Sequence, residues 1–262
     1  MTRVGSTDGW ALDPRRIEEA ALNAMQTQRQ LFYDGWLLRL SAGKAKRGRS
    51  VNAHFGSTLP LDHKIEYCER MYARHGLAPL FRMTPFNCPA DLEDALDARG
   101  YVSFDETMVQ AVELESAPEV PTAADDVEIV TLGVDAFVEA AGDLRGSTEA
   151  QRDGHRERLM NSPLDKRCVA IRTGGRDVCT AQVAIEGGLV GVYDVVTAED
   201  SRGKGYATVA CASLLSWAWQ HGATAAYLQV NEDNVPALAI YRKFGFATVY
   251  TYHYRGPPGK CE

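Results

Sequence analysis

Residues Gly187–Gln220 run GGLVGVYDVVTAEDSRGKGYATVACASLLSWAWQ: an apolar strand, a short polar turn, a glycine-punctuated loop and then a helix. Leu189–Thr197 is the strand, with Leu189, Val190, Val192, Val195 and Val196 supplying aliphatic and β-branched bulk. The helix opens near Gly205 and carries Val209, Leu214, Leu215, Trp217 and Ala218 on a helical period. Between them, Arg202-Gly203-Lys204-Gly205-Tyr206-Ala207 leaves backbone N–H groups uncovered at a helix N-terminus, where the helix dipole favours negative charge. Such a loop is built to hold an anion, most simply a phosphate or pyrophosphate.

Two phosphate motifs are excluded by spacing. A Walker loop needs G-x-x-x-x-G-K-[ST], and neither that glycine spacing nor a Ser or Thr after the lysine is present. A dinucleotide fingerprint needs a third small residue, but Gly203 and Gly205 are followed at that position by Thr208. Downstream, Ala225–Val230 reads as a strand that runs into Asn234-Val-Pro-Ala237-Leu-Ala-Ile-Tyr241-Arg-Lys243-Phe-Gly245-Phe246. Helical spacing puts Asn234, Ala237 and Tyr241 along one side of the helix they open. Taken alone, Tyr241 reads as a packed aromatic with its hydroxyl at the surface. R-x-x-G-x-A at Arg202, Gly205 and Ala207, followed by N-x-x-A-x-x-x-Y-x-K-x-G-F, resembles the GNAT superfamily of N-acetyltransferases.

The resemblance implies a site and a chemistry. The loop Arg202, Gly203, Lys204, Gly205, Tyr206, Ala207 and Thr208 would bind the pyrophosphate of acetyl-CoA, the expected co-substrate. Val195, Val196 and Thr197 would splay from the strand at Tyr227–Val230, pairing with the pantetheine amides and offering one N–H to polarise the thioester carbonyl. Asn234 would hydrogen-bond the pantetheine arm and Ala237 leave room for it. Tyr241 would protonate the departing thiolate while a neutral amine attacks directly, with no acyl-enzyme. Asp194 is the candidate base that takes the amine's proton, with Glu186 and Glu232 as alternatives. His155 and Arg156 lie where the family often places acceptor-binding residues. The acceptor class stays open: a small amine or a peptide or protein amine.

From residue 127 to about 255 the elements run β-α-α-β-β-β-α-β-α-β, which matches the family. The preceding half reads as a helix from Asp13-Pro14 to about Gln30, strands at Trp36–Leu40 and Ser50–Phe55, and a helix at Leu61–His75. Strand, helix and strand follow up to about Leu114. A faint repeat links LFRMTPFNCPADLEDALDARGYVSFDETMVQ to YLQVNEDNVPALAIYRKFGFATVYTYHYR, with Leu96 standing where the second copy has Tyr241 and no counterpart of the glycine loop. The expectation is an α/β (α+β) chain of two GNAT-like mixed-sheet domains. Residues 1–115 would be a degenerate copy, 116–126 a linker, and 127–262 the complete catalytic domain, its splayed central sheet flanked by helices.

Composition narrows the rest. A formal charge of −7 argues against a general nucleic-acid binder, although Lys44, Lys46, Arg47 and Arg49 form a local basic loop suited to an acidic substrate or a cofactor phosphate. No run is long enough to span a membrane and no basic-then-apolar leader opens the chain, so a cytoplasmic location is expected. The six cysteines and six histidines form no metal-spaced cluster, and the cysteines read as buried small hydrophobes in a reducing compartment. A monomer or a homodimer is expected. The rival reading is a catalytically silent acyl-CoA-binding module of the same fold; another is transfer of a larger acyl group, or transfer to a hydroxyl.

Overall fold

The computed structural model describes residues 12–41, 45–121 and 126–259. Lys44 of the basic loop, Cys261, most of the polar N-terminal segment and residues 122–125 of the expected linker lie outside them. In chain order the elements begin α1 (Pro14–Ala24), β1 (Gln30–Tyr33), β2 (Trp36–Arg39), β3 (Ser50–Asn52), α2 (Leu61–Arg74), β4 (Leu80–Met83), α3 (Leu92–Ala98) and β5 (Val102–Glu113). They continue β6 (Val127–Leu132), α4 (Val134–Arg145), α5 (Glu149–Asn161), β7 (Asp165–Thr173), β8 (Arg176–Glu186) and β9 (Leu189–Thr197). The last four are α6 (Tyr206–Gln220), β10 (Ala225–Asn231), α7 (Val235–Lys243) and β11 (Ala247–Gly256). No described helix is long and apolar enough to cross a membrane.

The first helix stops at Ala24, short of the expected Gln30, because the chain beyond it is claimed by a hairpin. Asp34 and Gly35 both take positive φ, +42° and +84°. That two-residue mirror turn sets the twist of an antiparallel pair, so Gln30–Tyr33 pairs residue for residue with Trp36–Arg39.

Contacts divide the chain into two compact units. One comprises Met1–Ala24 and Val109–Val249; the other comprises Met25–Met108 and Tyr250–Glu262. These units do not follow a cut through residues 116–126. Helix α1 belongs with the larger unit, where Ile17, Ala20 and Ala21 are buried and Arg16 pairs with Glu186 at 2.9 Å. The repeat is visible as β4–α3–β5 and β10–α7–β11. The closing strand of each copy begins in one unit and finishes in the other.

In the smaller unit the strand order is β1-β2-β3-β4-β11. Its core joins Trp36, Leu38, Val51 and Phe81 to Ile65, Cys68 and Tyr72 of α2. In the larger unit the order is β5-β10-β9-β8-β7-β6, a mixed sheet in which β9–β10 pairs parallel while β6–β7, β7–β8 and β8–β9 pair antiparallel. Strand alternation sorts its two faces. Cys168 of β7 opposes Gln182 of β8, and Cys168 packs with Phe137, Val138, Ala141 and Leu159 of the α4–α5 hairpin. Cys179 and Thr197 share the other face, their side chains 3.3 Å apart.

Candidate active site

The site grows out of what happens to β9 halfway along. Its parallel pairing with β10 runs from Ala225↔Leu189 to Leu228↔Val192 and ends there. From Tyr193 to Thr197 on one strand, and from Gln229 to Asn231 on the other, that register does not continue. This is the parting expected at Val195, Val196 and Thr197, all half-buried.

A second irregularity sits at the same point. On the β8 side, Thr180 pairs with Val196 and Gln182 with Tyr193, so Asp194 and Val195 together oppose the single residue Ala181. This is a β-bulge, and Asp194 takes φ +53°, a left-handed conformation that costs a non-glycine residue on the order of 1 kcal/mol. The extra residue changes which way Asp194 faces. Strict alternation would send it to the face opposite Tyr193 and Gln182, yet its carboxylate reaches Gln182 Nε2 at 2.9 Å. The bulge thus aims Asp194 at the α4–α5 hairpin.

There it is held from three sides. Arg145, at the end of α4, donates from Nη2 to Oδ1 at 2.6 Å. His155 of α5 places Nε2 2.9 Å from Oδ2, and Gln182 donates to the same oxygen. Burial works to raise the proton affinity of Asp194, but the charge of Arg145 and the bond to His155 overcome it and hold the carboxyl well below its usual range. Gln182 and Arg145 were not singled out from sequence. The signal for Gln182 was present, a lone amide inside the apolar run Val178–Ile185; nothing in the sequence marks Arg145.

The glycine loop stands open. Gly203 and Gly205 take φ of +77° and +83°, and a Cβ built on either would meet no atom within 4 Å. Arg202, Gly203, Lys204 and Gly205 are exposed, Tyr206 and Thr208 half-buried, and Ala207 buried. Helix α6 starts at Tyr206 with Gly205 as its N-cap, and no side chain caps it, so its first N–H groups are left for solvent or a ligand. These are the properties a pyrophosphate cradle needs.

At α7, the Oδ1 of Asn234 accepts from the Ala237 N–H at 3.2 Å. That cap leaves Nδ2 as the donor Asn234 can offer outward. Ala237 is half-buried, and Tyr241 is 8% exposed with its ring set edge-on against Phe246. Burial, with the thiols of Cys211 and Cys179 nearby, raises the Tyr241 hydroxyl far above its ordinary value, so it stays protonated. Burial likewise lifts Cys168 and Cys211 to about 12 and Cys179 to about 11, which removes them as nucleophiles.

The remaining candidates fall elsewhere. Glu186 sits at the far end of β9 from Thr197, paired across the hairpin with Leu189 and tied to Arg16 and Asn23 of α1. Glu232 is exposed. Arg156 joins a surface network with Asp135, Glu139 and Asp153. In the smaller unit, Lys46 pairs with Asp105 at 3.3 Å and lies over the ring of Phe104.

Comparison with known proteins bears on the fold and the family. A curated relative, the "Uncharacterized N-acetyltransferase YobR" of Bacillus subtilis (strain 168), is 28% identical over 250 residues, covering 93% of this chain and 98% of the relative. A GCN5-related N-acetyltransferase from Kribbella flavida superposes with a TM-score of 0.70 at 21% identity, covering 97% of each chain. A tandem GNAT protein from the clavulanic acid biosynthesis pathway superposes with a TM-score of 0.62 at 16% identity, over 74% of this chain and 68% of that one. Over residues 12–255 the sequence matches the family described as "Probable histone acetyltransferase Rv0428c C-terminal". The chain belongs to that family and is a GNAT-type N-acetyltransferase.

Proposed function

We propose that this enzyme transfers acetyl from acetyl-CoA directly to a primary amine within a ternary complex. The observation that carries the reading is the conjunction, in one unit, of a strand pair that parts after Val192 and Leu228, an uncapped glycine loop, and a buried protonated tyrosine. The N–H groups of Arg202–Thr208 hold the pyrophosphate, and Nδ2 of Asn234 donates to the pantetheine arm that passes Ala237. Backbone groups of Val195, Val196 and Thr197, released from the ladder, pair with the pantetheine amides and polarise the acetyl carbonyl. Tyr241 donates its proton as charge builds on the leaving sulfur.

The acceptor is an amine of a small molecule, a peptide or a protein. The matched family's description names histone acetylation, which supports including protein lysine. We read the smaller unit as a degenerate copy that binds no coenzyme A, because α3 has Leu96 where α7 has Tyr241 and no glycine loop precedes it. The test is thiol release from acetyl-CoA with a panel of small amines and lysine peptides, alongside calorimetric titration of coenzyme A. Amine-dependent release is the expected result. Binding without turnover on any amine would favour a silent acyl-CoA-binding module.

A further inference from the structure

The transfer requires a neutral amine, and a primary amine arrives protonated at neutral pH. Some group must take that proton. Asp194 is a poor acceptor: its two oxygens already receive bonds from Arg145, His155 and Gln182. The same geometry constrains the tautomer of its neighbour. A carboxylate that accepts through Oδ2 requires the proton of neutral His155 to lie on Nε2, which leaves Nδ1 as the ring's lone pair. Nδ1 forms no hydrogen bond among the described residues, and the side chain keeps 9% of its surface exposed.

We propose that His155 is the general base of this enzyme, accepting the amine's proton at Nδ1 directly or through one water, and that Asp194 is its positioning residue. The inference rests on the direct-transfer reading above. Every packed element contributes to the arrangement. Phe137 of α4 meets the imidazole edge-on at 5.9 Å between centroids and fixes the ring plane. Among the described residues, Asp194 on β9 supplies the one negative charge paired with the ring, and Arg145 of α4 bonds that carboxylate. Gln182 of β8 is neutral, and burial beside Asp194 holds the Cys168 thiol of β7 in its neutral form. On α5 itself, Arg152 and Arg156 are engaged by Glu139, Asp143, Asp135 and Asp153, and Arg158 donates to the Gly154 carbonyl.

The step balances without a further reactant. R–NH3+ gives one proton to His155 Nδ1, forming an imidazolium that Asp194 stabilises. The freed lone pair attacks the acetyl carbonyl carbon and a C–N bond forms. The C–S bond then breaks and sulfur takes the Tyr241 proton. The second nitrogen proton leaves through water to restore Tyr241, and His155 releases its own to solvent. The bulge has a purpose in this scheme, since an unbulged β9 would turn Asp194 away from α5.

The test compares the full-length protein with His155→Gln and Asp194→Asn. Nitrogen-15 NMR of the imidazole should show the Nε2–H tautomer in the parent and lose that preference in Asp194→Asn. With the best amine of the panel, kcat/KM of His155→Gln should fall ~10²–10⁴-fold at neutral pH, the usual range for a lost general base. The deficit should shrink as pH rises and the free amine deprotonates unaided, a rescue that a merely structural role would not produce. Coenzyme A affinity should be unchanged. An Nδ1–H tautomer, or a pH profile for His155→Gln parallel to the parent's, would overturn the proposal. If no amine turns over, the direct-transfer reading fails and the base proposal falls with it, whatever the tautomer. Loss of coenzyme A binding in the parent would likewise sink the direct-transfer reading.

Discussion

At the scale of single residues, burial at Tyr241 and hydrogen bonding at Asp34 shift two groups in opposite directions. Tyr241 is pushed towards the protonated form, so in the proposed transfer it would serve as a donor whose state does not vary across the working pH range. Tyr241→Phe should lower kcat by roughly 10²-fold, within the range for a positioned acid. Coenzyme A affinity by calorimetry should stay within about twofold, because uniform binding is untouched. Asp34 goes the other way. The N–H of Leu59 above all, then the N–H and hydroxyl of Thr58 and the charge of Lys64, pull its carboxyl far below the ordinary value against the opposing effect of desolvation. A depressed native pKa contributes stability that is complete above the unfolded value of about 4 and is lost as pH falls through the native value. Thermal melts of the parent should therefore drop below about pH 4, and Asp34→Asn should show a lower melting temperature at neutral pH with a shallower acid decline. Lys64, whose side chain is fully buried against the Trp36 ring, would be left without its carboxylate.

At the scale of elements, most boundaries were legible because period and punctuation agree: β9, α4, α5 and α7 all begin where their sequence signals place them. The glycine loop was legible for the same reason, since glycine at those positions has narrow backbone uses, whereas the cap formed by Asn234 was seen only in the structure. Strand β1 was hidden, because Gln30–Tyr33 is too short to carry a period and becomes a strand only through the turn that follows it. The bulge at Asp194 was hidden more deeply. Nothing in Tyr-Asp-Val-Val announces a positive φ; it follows from how β8 and β9 pair, a non-local fact. With the bulge went the partners of Asp194, which come from α4, α5 and β8. The prediction at this scale concerns the loop. Gly205→Glu should abolish coenzyme A binding by calorimetry, since it places a charged side chain in the open cradle and forces φ +83° on a residue with a Cβ. Far-UV circular dichroism should be unchanged, because no atom lies where the new Cβ would go.

At the scale of the molecule, the sequence gives two halves and the contacts give two units, and the two divisions differ. A fragment of residues 127–262 lacks α1, whose Ile17, Ala20 and Ala21 are buried, and lacks the end of β5, where Val109 and Ala111 are buried. It keeps Tyr252 and Tyr254 of β11, which are buried in the full chain and whose partner strand β4 has been removed. Such a fragment should show no cooperative melt and should bind a hydrophobic dye, whereas the full chain should unfold cooperatively. The cut is invisible to a reading along the chain because proline- and alanine-rich composition marks a connection, not which segments pack together. The shared strands also bear on synthesis. Ribosomes add about 5–20 residues per second, so the smaller unit waits on the order of ten seconds between the emergence of Met108 and that of Tyr250. Through that interval β4 presents an unfilled edge, and the smaller unit is completed only once Tyr250 and the residues that follow it in β11 have been made. A ribosome that stalls near Val249 would leave a nascent polypeptide with an open sheet edge, a substrate for chaperones rather than a half-finished enzyme.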